Sequence, residues 1–273
     1  MAEHTSMAEH TSMAEHTTGL EQYIRDKRKQ KDILLMTHIV LGYPSFDDSR
    51  RVVEDMVEAG VDLMELQIPF SEPMADGPVI LKANAEALKA GATVEQSFEL
   101  AERLADEFDI PFLFMTYYNI LFCHGVEQFV KRCADIGIQG CIIPDLPPSE
   151  GTEYLDAMRA ANLSPVHIFT PNTTAPRMQT LDQNSAGFIY TVARKGVTGK
   201  DTEFSTDLAD YLQTCRDHTR LPLAVGFGVK SRSDIDFLRG KADIAVVGSE
   251  TIRVLENEGV SGVRPFIDSL TAA

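Results

Sequence analysis

Three observations predict that this chain folds as a closed (β/α)8 barrel, the TIM-barrel class, in a single domain with an extra helix at its N-terminus. Eight short apolar runs recur along the chain, each followed by a polar loop and then by apolar residues at helical spacing. Strict alternation of strand and helix implies parallel strands joined by right-handed crossovers. Eight such units in about 250 residues match a closed barrel. An open doubly wound sheet would place a GxGxxG turn after the first strand, where Gly42-Tyr43-Pro44 stands instead.

The elements follow in order. Residues 1–18 are three copies of a hexapeptide, MAEHTS, MAEHTS and MAEHTT. A period this short suits no repeat fold, so the segment is expected to be disordered, and His4, His10 and His16 are read with the repeat rather than as metal ligands. The barrel domain is assigned to residues 19–273. From Gly19 to Lys31, Leu20, Tyr23 and Ile24 mark one face of a short amphipathic helix. Ile33 to Val40 is the first strand. A helix with the stripe Val52, Val53, Met56 and Val57 follows and stops at Gly60.

The second strand starts at Val61. Its alternation puts Leu63, Glu65 and Gln67 on one face and Met64, Leu66 and Ile68 on the other. One face is wholly apolar, whereas the other turns polar towards the strand's end, as in a strand packed on helices outside and opening into a pocket inside. After Asp76-Gly77-Pro78, one helix runs to Ala90, and Thr93 to Gln96 offers a capping box for another. Strands are then expected at Pro111–Tyr117, Gly140–Ile143, Pro165–Phe169, Gly187–Val192, Pro222–Val225 and Asp243–Val247. Helices are expected near Val126–Asp135, Glu150–Ala160, Ala175–Leu181, Phe204–Cys215 and Ser233–Leu238, with helical material to the end.

Bulk composition narrows the function. With 273 residues and 44% hydrophobic content, one large core can form. A net charge of −16 argues against nucleic acid or an anionic membrane as partner. A small phosphorylated ligand fits, because a few oriented backbone N–H groups hold an anion locally. Cys123, Cys133, Cys141 and Cys215 form no CxxC pair and read as reduced thiols, with no metal site. No apolar run reaches membrane-spanning length and no signal sequence opens the chain, so a cytoplasmic location is expected.

In such a barrel, chemistry sits at the C-terminal ends of strands and in the loops after them. The polar residues there are Glu65, Asp76, Asn119, Asp145 and Tyr190. Glu65 and Asp76 belong to one βα unit, and two carboxylates in different surroundings can divide acid and base roles. Asp145, between Pro144 and Pro147, reads more simply as a loop brace. Tyr117 and Tyr190 are core tyrosines unless a site claims them. Glycines gather in the loops after strands six to eight, at Gly196 and Gly199, Gly226 and Gly228, and Gly248-Ser249, where a barrel holds phosphate on backbone N–H groups.

From about Tyr23 to Leu270 the chain resembles the tryptophan synthase α-subunit family. The match is carried by Gly42-Tyr43-Pro44, Glu65 with Ile68-Pro69-Phe70-Ser71, Ala75-Asp76-Gly77-Pro78, Pro144-Asp145-Leu146-Pro147, Gly196-Val197-Thr198-Gly199, Gly226-Phe227-Gly228 and Val247-Gly248-Ser249. The resemblance implies a lyase of tryptophan biosynthesis that cleaves indole-3-glycerol phosphate to indole and glyceraldehyde 3-phosphate. It makes Glu65 the acid/base at indole C3 and the side-chain hydroxyl, and Asp76 the acceptor of the indole N–H. Tyr190 lines the site, and Thr198, Gly199, Gly226, Phe227, Gly228, Gly248 and Ser249 contact substrate, chiefly as a phosphate cradle. It implies no metal or cofactor in this chain. Its expected partner is a β subunit carrying pyridoxal phosphate, in an α2β2 tetramer.

Departures from the family pattern mark a divergent branch. Gln67 stands where glycine is usual, and is expected either to hydrogen-bond Glu65 or to fill the mouth of the site. Glu72 and Met74 replace Asp and Leu of the usual SDPLADGP loop, on the surface that communicates with the β subunit. His38 replaces an aromatic ring near the indole. The alternatives are a free-standing lyase without a β partner, a subunit kept mainly to activate its partner, and a phosphate-sugar isomerase on the same barrel.

Overall fold

In this computed structural model, residues 17–192, 206–226 and 228–271 are described. The hexapeptide expectation for residues 1–16, and those for Thr198, Gly199 and Phe227, lie outside them. Inward and outward positions alternate along each strand and build two cores. The strands are β1 (Leu34–Val40), β2 (Leu63–Gln67), β3 (Phe112–Met115), β4 (Gly140–Ile142), β5 (Ser164–Val166), β6 (Ile168–Phe169), β7 (Ile189–Thr191), β8 (Leu223–Gly226) and β9 (Ile244–Val247). All pairings are parallel, in the order β5-β4-β3-β2-β1-β9-β8-β7-β6.

The fifth expected strand is in two pieces, so nine strands stand for eight. β5 pairs with β4 and β6 pairs with β7, and only His167 separates them. The two ends of the sheet therefore meet in one stretch of chain, which closes the ring. His167 is buried, its Nδ1 lies 3.0 Å from Ser185 Oγ, and burial followed by the charge of Arg177 pushes its pKa down to about 4.

Leu34, Met36, Leu63, Leu113, Ile142 and Val246 are among the residues that fill the barrel interior. Met64, Leu66 and Ile68 pack outward against the helices, as the parity of β2 requires. Each such apolar side chain, fully buried, contributes about 1.5–3 kcal/mol. The outer layer includes α2 (Phe46–Glu58), α3 (Pro78–Lys89) and α4 (Val94–Glu107). Ser45 caps α2 by accepting Asp48 N–H, and Thr93 with Gln96 forms the expected capping box of α4. A helix not foreseen, α5 (Tyr118–His124), precedes α6 (Val126–Asp135), and α7 (Thr152–Ala160), α8 (Ala175–Gln183), α9 (Thr206–Asp217), α10 (Arg232–Leu238), α11 (Ser249–Glu258) and α12 (Val263–Thr271) complete the layer.

The N-terminal helix, α1 (Gly19–Arg28), closes the bottom of the barrel. Leu20 and Ile24 join the interior core, Tyr23 Oη donates to Asp62 O, and Arg28 pairs with Asp243. Thr18, assigned from sequence to the terminal repeat, belongs to the fold: it caps α1 at Glu21 N–H and its Oγ1 lies 2.7 Å from Ser164 Oγ. Each of these partners stands at or just before the start of a strand, so the opposite mouth is left for the site.

Candidate active site

β2 brings Glu65 to that mouth on the inward face, where it is only 1% exposed. Across the parallel β1–β2 pairing, His38 stands directly opposite Glu65. His38 Nδ1 lies 3.2 Å from Glu65 Oε1. From β7, across the interior, Tyr190 Oη donates to the same oxygen at 3.2 Å. Glu65 Oε2 is buried and has no partner.

The second carboxylate reaches the site from the loop after β2. Asp76 is 6% exposed and accepts a 2.7 Å hydrogen bond from Gln67 Nε2. Of the two roles expected for Gln67, bonding to Glu65 is therefore replaced by bonding to Asp76. Two residues along a strand is about 6.6 Å, which carries the amide past Glu65 to the level of the descending loop. The same loop is held elsewhere: Ala75 N–H donates to Tyr117 Oη at 3.1 Å, Phe70 N–H donates to Asn84 Oδ1 at 3.0 Å, and the Phe70 and Tyr117 rings stack 5.0 Å apart. Glu72 and Met74, on the same loop, are exposed.

The electrostatics follow from this packing. Burial raises the pKa of Asp76; the Gln67 hydrogen bond, the His38 charge and Tyr117 oppose that rise, and Glu65 adds to it. For His38, burial alone would lower the pKa, but the hydrogen bond and charge of Glu65, with Asp76 and Gln67 behind them, leave it raised. Burial, then Glu65 and Asp76, raise Tyr190, which stays a hydroxyl donor.

Buried polar atoms are normally paired, so those without partners are informative. Three of them here, His38 Nε2, Glu65 Oε2 and Gln67 Oε1, belong to neighbouring inward residues at one mouth. That clustering makes this mouth the candidate site.

The glycine rim is met in part. Gly248 precedes the first residue of α11, Ser249, and no side chain caps that helix, so its first N–H groups have no side-chain acceptor. Gly228 has φ +62°, a backbone conformation glycine adopts freely. Gly226 has a different explanation: a Cβ there would overlap Tyr190 Oη and come within 2.7 Å of Cζ. Its place is set by the tyrosine ring that crosses to Glu65.

Other sequence candidates fall outside the constellation. Asp145 accepts Tyr118 N–H at 2.9 and 3.2 Å, the loop brace expected of it. Asn119 is exposed on α5 and accepts from Cys123 Sγ. At the far mouth, a cleft of about 130 Å³ lined by Arg28, Arg216 and Asp243 has its charges paired with one another. Among the described residues, no group of three or more His, Cys, Asp or Glu side chains is placed to hold a metal ion, and no helix is long and apolar enough to cross a membrane. Sequence reasoning missed the bond from His38 to Glu65. Its signal was parity, because Leu34 and Met36 point inward and His38 is the next residue on that face.

Fold and site together define the class: a (β/α)8 barrel with two buried carboxylates, Glu65 and Asp76, at its C-terminal mouth. The model of the tryptophan synthase alpha chain family matches residues 24–265. The tryptophan synthase alpha chain of Desulforapulum autotrophicum is 66% identical over 251 residues, covering 92% of this chain and 99% of that one. The alpha chain of Syntrophotalea carbinolica is 62% identical over 251 residues, with the same coverages. A structure of Mycobacterium tuberculosis tryptophan synthase superposes with a TM-score of 0.87 at 28% identity, covering 94% of this chain and 98% of the other. The chain belongs to the tryptophan synthase alpha chain family and is a lyase subunit.

Proposed function

We propose that this chain cleaves indole-3-glycerol phosphate by a retro-aldol reaction, releasing indole and glyceraldehyde 3-phosphate, as the α subunit of an α2β2 tryptophan synthase. The observation that carries the reading is the buried pair of carboxylates on one βα unit, with Glu65 Oε2 left without a partner while Oε1 is held by His38 and Tyr190. Asp76 accepts the indole N–H and balances the positive charge that develops on the ring. Protonated Glu65 gives its proton to indole C3. The resulting carboxylate takes the proton of the side-chain hydroxyl, the bond from C3 breaks, and its electron pair returns to the ring. The aldehyde and indole leave, and Glu65 ends with the proton it began with.

The phosphate is held by first-turn N–H groups of α11 beside Gly248 and Ser249, with Gly228 at the same rim. No organic cofactor acts within this chain; pyridoxal phosphate belongs to the β subunit that receives the indole. Exposed Met74 on the loop after β2 and exposed Phe122 on α5 are apolar side chains that suit a partner's cover.

The test is glyceraldehyde 3-phosphate release by the purified chain. Glu65→Gln is expected to lower kcat by at least ~10²-fold. Unchanged turnover in that variant would refute the assignment. Adding a pyridoxal-phosphate β subunit should accelerate release; equal rates with and without it would favour a free-standing lyase.

A further inference from the structure

Glu65 presents its two oxygens unequally. Oε1 is bound on both sides, by His38 Nδ1 at 3.2 Å from β1 and by Tyr190 Oη at 3.2 Å from β7. Oε2 is bound by nothing and is shut away from water. A carboxyl group is free to turn unless its surroundings forbid it, and two donors fixed in separate strands forbid it here. His38 is held as firmly as the carboxyl. It is 1% exposed and sits in register with Glu65.

We propose that His38 is a positioning residue for the reaction: its Nδ1–H anchors Glu65 Oε1 and thereby makes Oε2 the oxygen that exchanges protons with the substrate. Glu65 must first give a proton to a ring carbon and then take one from a hydroxyl beside it. Both transfers need one oxygen aimed at one point, and a carboxyl that swings loses that aim. The imidazole acts through Glu65 and touches no reacting atom in this role. The inference rests on the reading of Glu65 as the acid and base.

Three substitutions separate positioning from the filling of space. His38→Phe keeps a ring but removes both nitrogens. His38→Asn puts an amide N–H near the place of Nδ1, whereas His38→Gln puts it near Nε2. Glyceraldehyde 3-phosphate release is measured on the full chain, with folding checked by circular dichroism. H38F is expected to lose about 10–100-fold in kcat, the scale on which loss of an orienting partner acts, with KM changed by less than about 3-fold. H38N is expected to recover a large part of that loss, and H38Q is not.

The proposal is overturned if H38F turns over like the parent chain, if its loss lies wholly in KM, or if folded H38N is no faster than H38Q. Should H38F fail to fold, the comparison of H38N with H38Q decides alone. Glu65→Gln is run beside them. Full activity in E65Q would remove the functional reading itself, whereas an inactive E65Q with an unimpaired H38F would remove only the role of His38.

Discussion

Gln67 Nε2 donates to Asp76 Oδ2 at 2.7 Å, and this buried bond ties the end of β2 to the end of the loop that leaves it. The loop is thereby closed on itself before any substrate arrives. Glu65, two residues earlier, takes its donors from β1 and β7 instead. Each carboxylate is held by its own partners, so the two can be perturbed separately.

The first prediction concerns that tie. A hydrogen bond to a charged group is worth about 1.5–3 kcal/mol, and Q67L removes one from a buried carboxylate. If Asp76 is needed in place in the transition state, kcat/KM falls by about 10–100-fold. Gln67 also holds the Asp76 pKa down against burial, so its loss lets that pKa rise further. The acid limb of kcat/KM should therefore move to higher pH in Q67L. A parental pH profile with parental kcat/KM would show that the bond does not position Asp76.

Asp76 itself should cost stability. Its carboxyl is raised above the ordinary value of 3.8 by burial, so the folded chain binds this proton more tightly than the unfolded chain does. Stability then declines as pH rises from the ordinary value through the raised one, and the penalty is complete above it. Asp76→Asn removes the penalty while still offering an acceptor to Gln67. D76N is expected to melt higher than the parent at pH 7, with the gap closing as pH falls below the ordinary carboxylate range. Its glyceraldehyde 3-phosphate release should be lost. Thermal melts across pH test the first claim, and a D76N that melts lower at pH 7 contradicts it.

How much of this was legible beforehand depends on whether the signal was local. The parity of β2 placed Leu63, Glu65 and Gln67 inward, and they are inward. Asp145 was read as a loop brace from its flanking prolines, and it binds Tyr118 N–H. What escaped needed neighbours distant in sequence. His38 faces Glu65 only because β1 and β2 pair in that register, which no single strand encodes. Gly226 looked like an anion rim, yet its bareness makes room for a ring from β7. The break at His167 and helix α5 escaped for another reason. Short apolar runs do not reveal where a strand pauses or a one-to-two-turn helix begins.

Gly226 offers a test of that spatial reading. In the register of β7 with β8, Tyr190 pairs with Ala224, so Gly226 is its diagonal neighbour, within reach of a tyrosine ring. A methyl group at Gly226 would overlap that ring, and the backbone of β8 cannot yield cheaply. G226A is expected to displace Tyr190 and so free Glu65 Oε1 on one side, at a cost of about 1–3 kcal/mol in stability. Tyr190→Phe should relieve none of the overlap with the ring carbons, whereas Tyr190→Ala in the G226A background should restore the melting temperature. If G226A melts like the parent, the glycine is not there for the ring.

The N-terminal boundary makes the last prediction. Thr18 is buried, accepts the Glu21 N–H and sits 2.7 Å from Ser164 Oγ, so the fold is anchored from that residue onward. Loss of such a cap costs about 0.5–2 kcal/mol, or a few degrees in melting temperature for a chain of this size. Leu20 lies deeper, in the interior core against the start of the strands, and L20A should cost about 2–5 kcal/mol. Removal of residues 1–16 is expected to cost neither stability nor turnover, because the described contacts of α1 begin at Thr18. The three variants thus form a series whose steps are set by contact alone: deletion of 1–16, then T18A, then L20A. A deletion that destabilises as much as L20A would place the repeat inside the folding unit and move the domain boundary to the start of the chain.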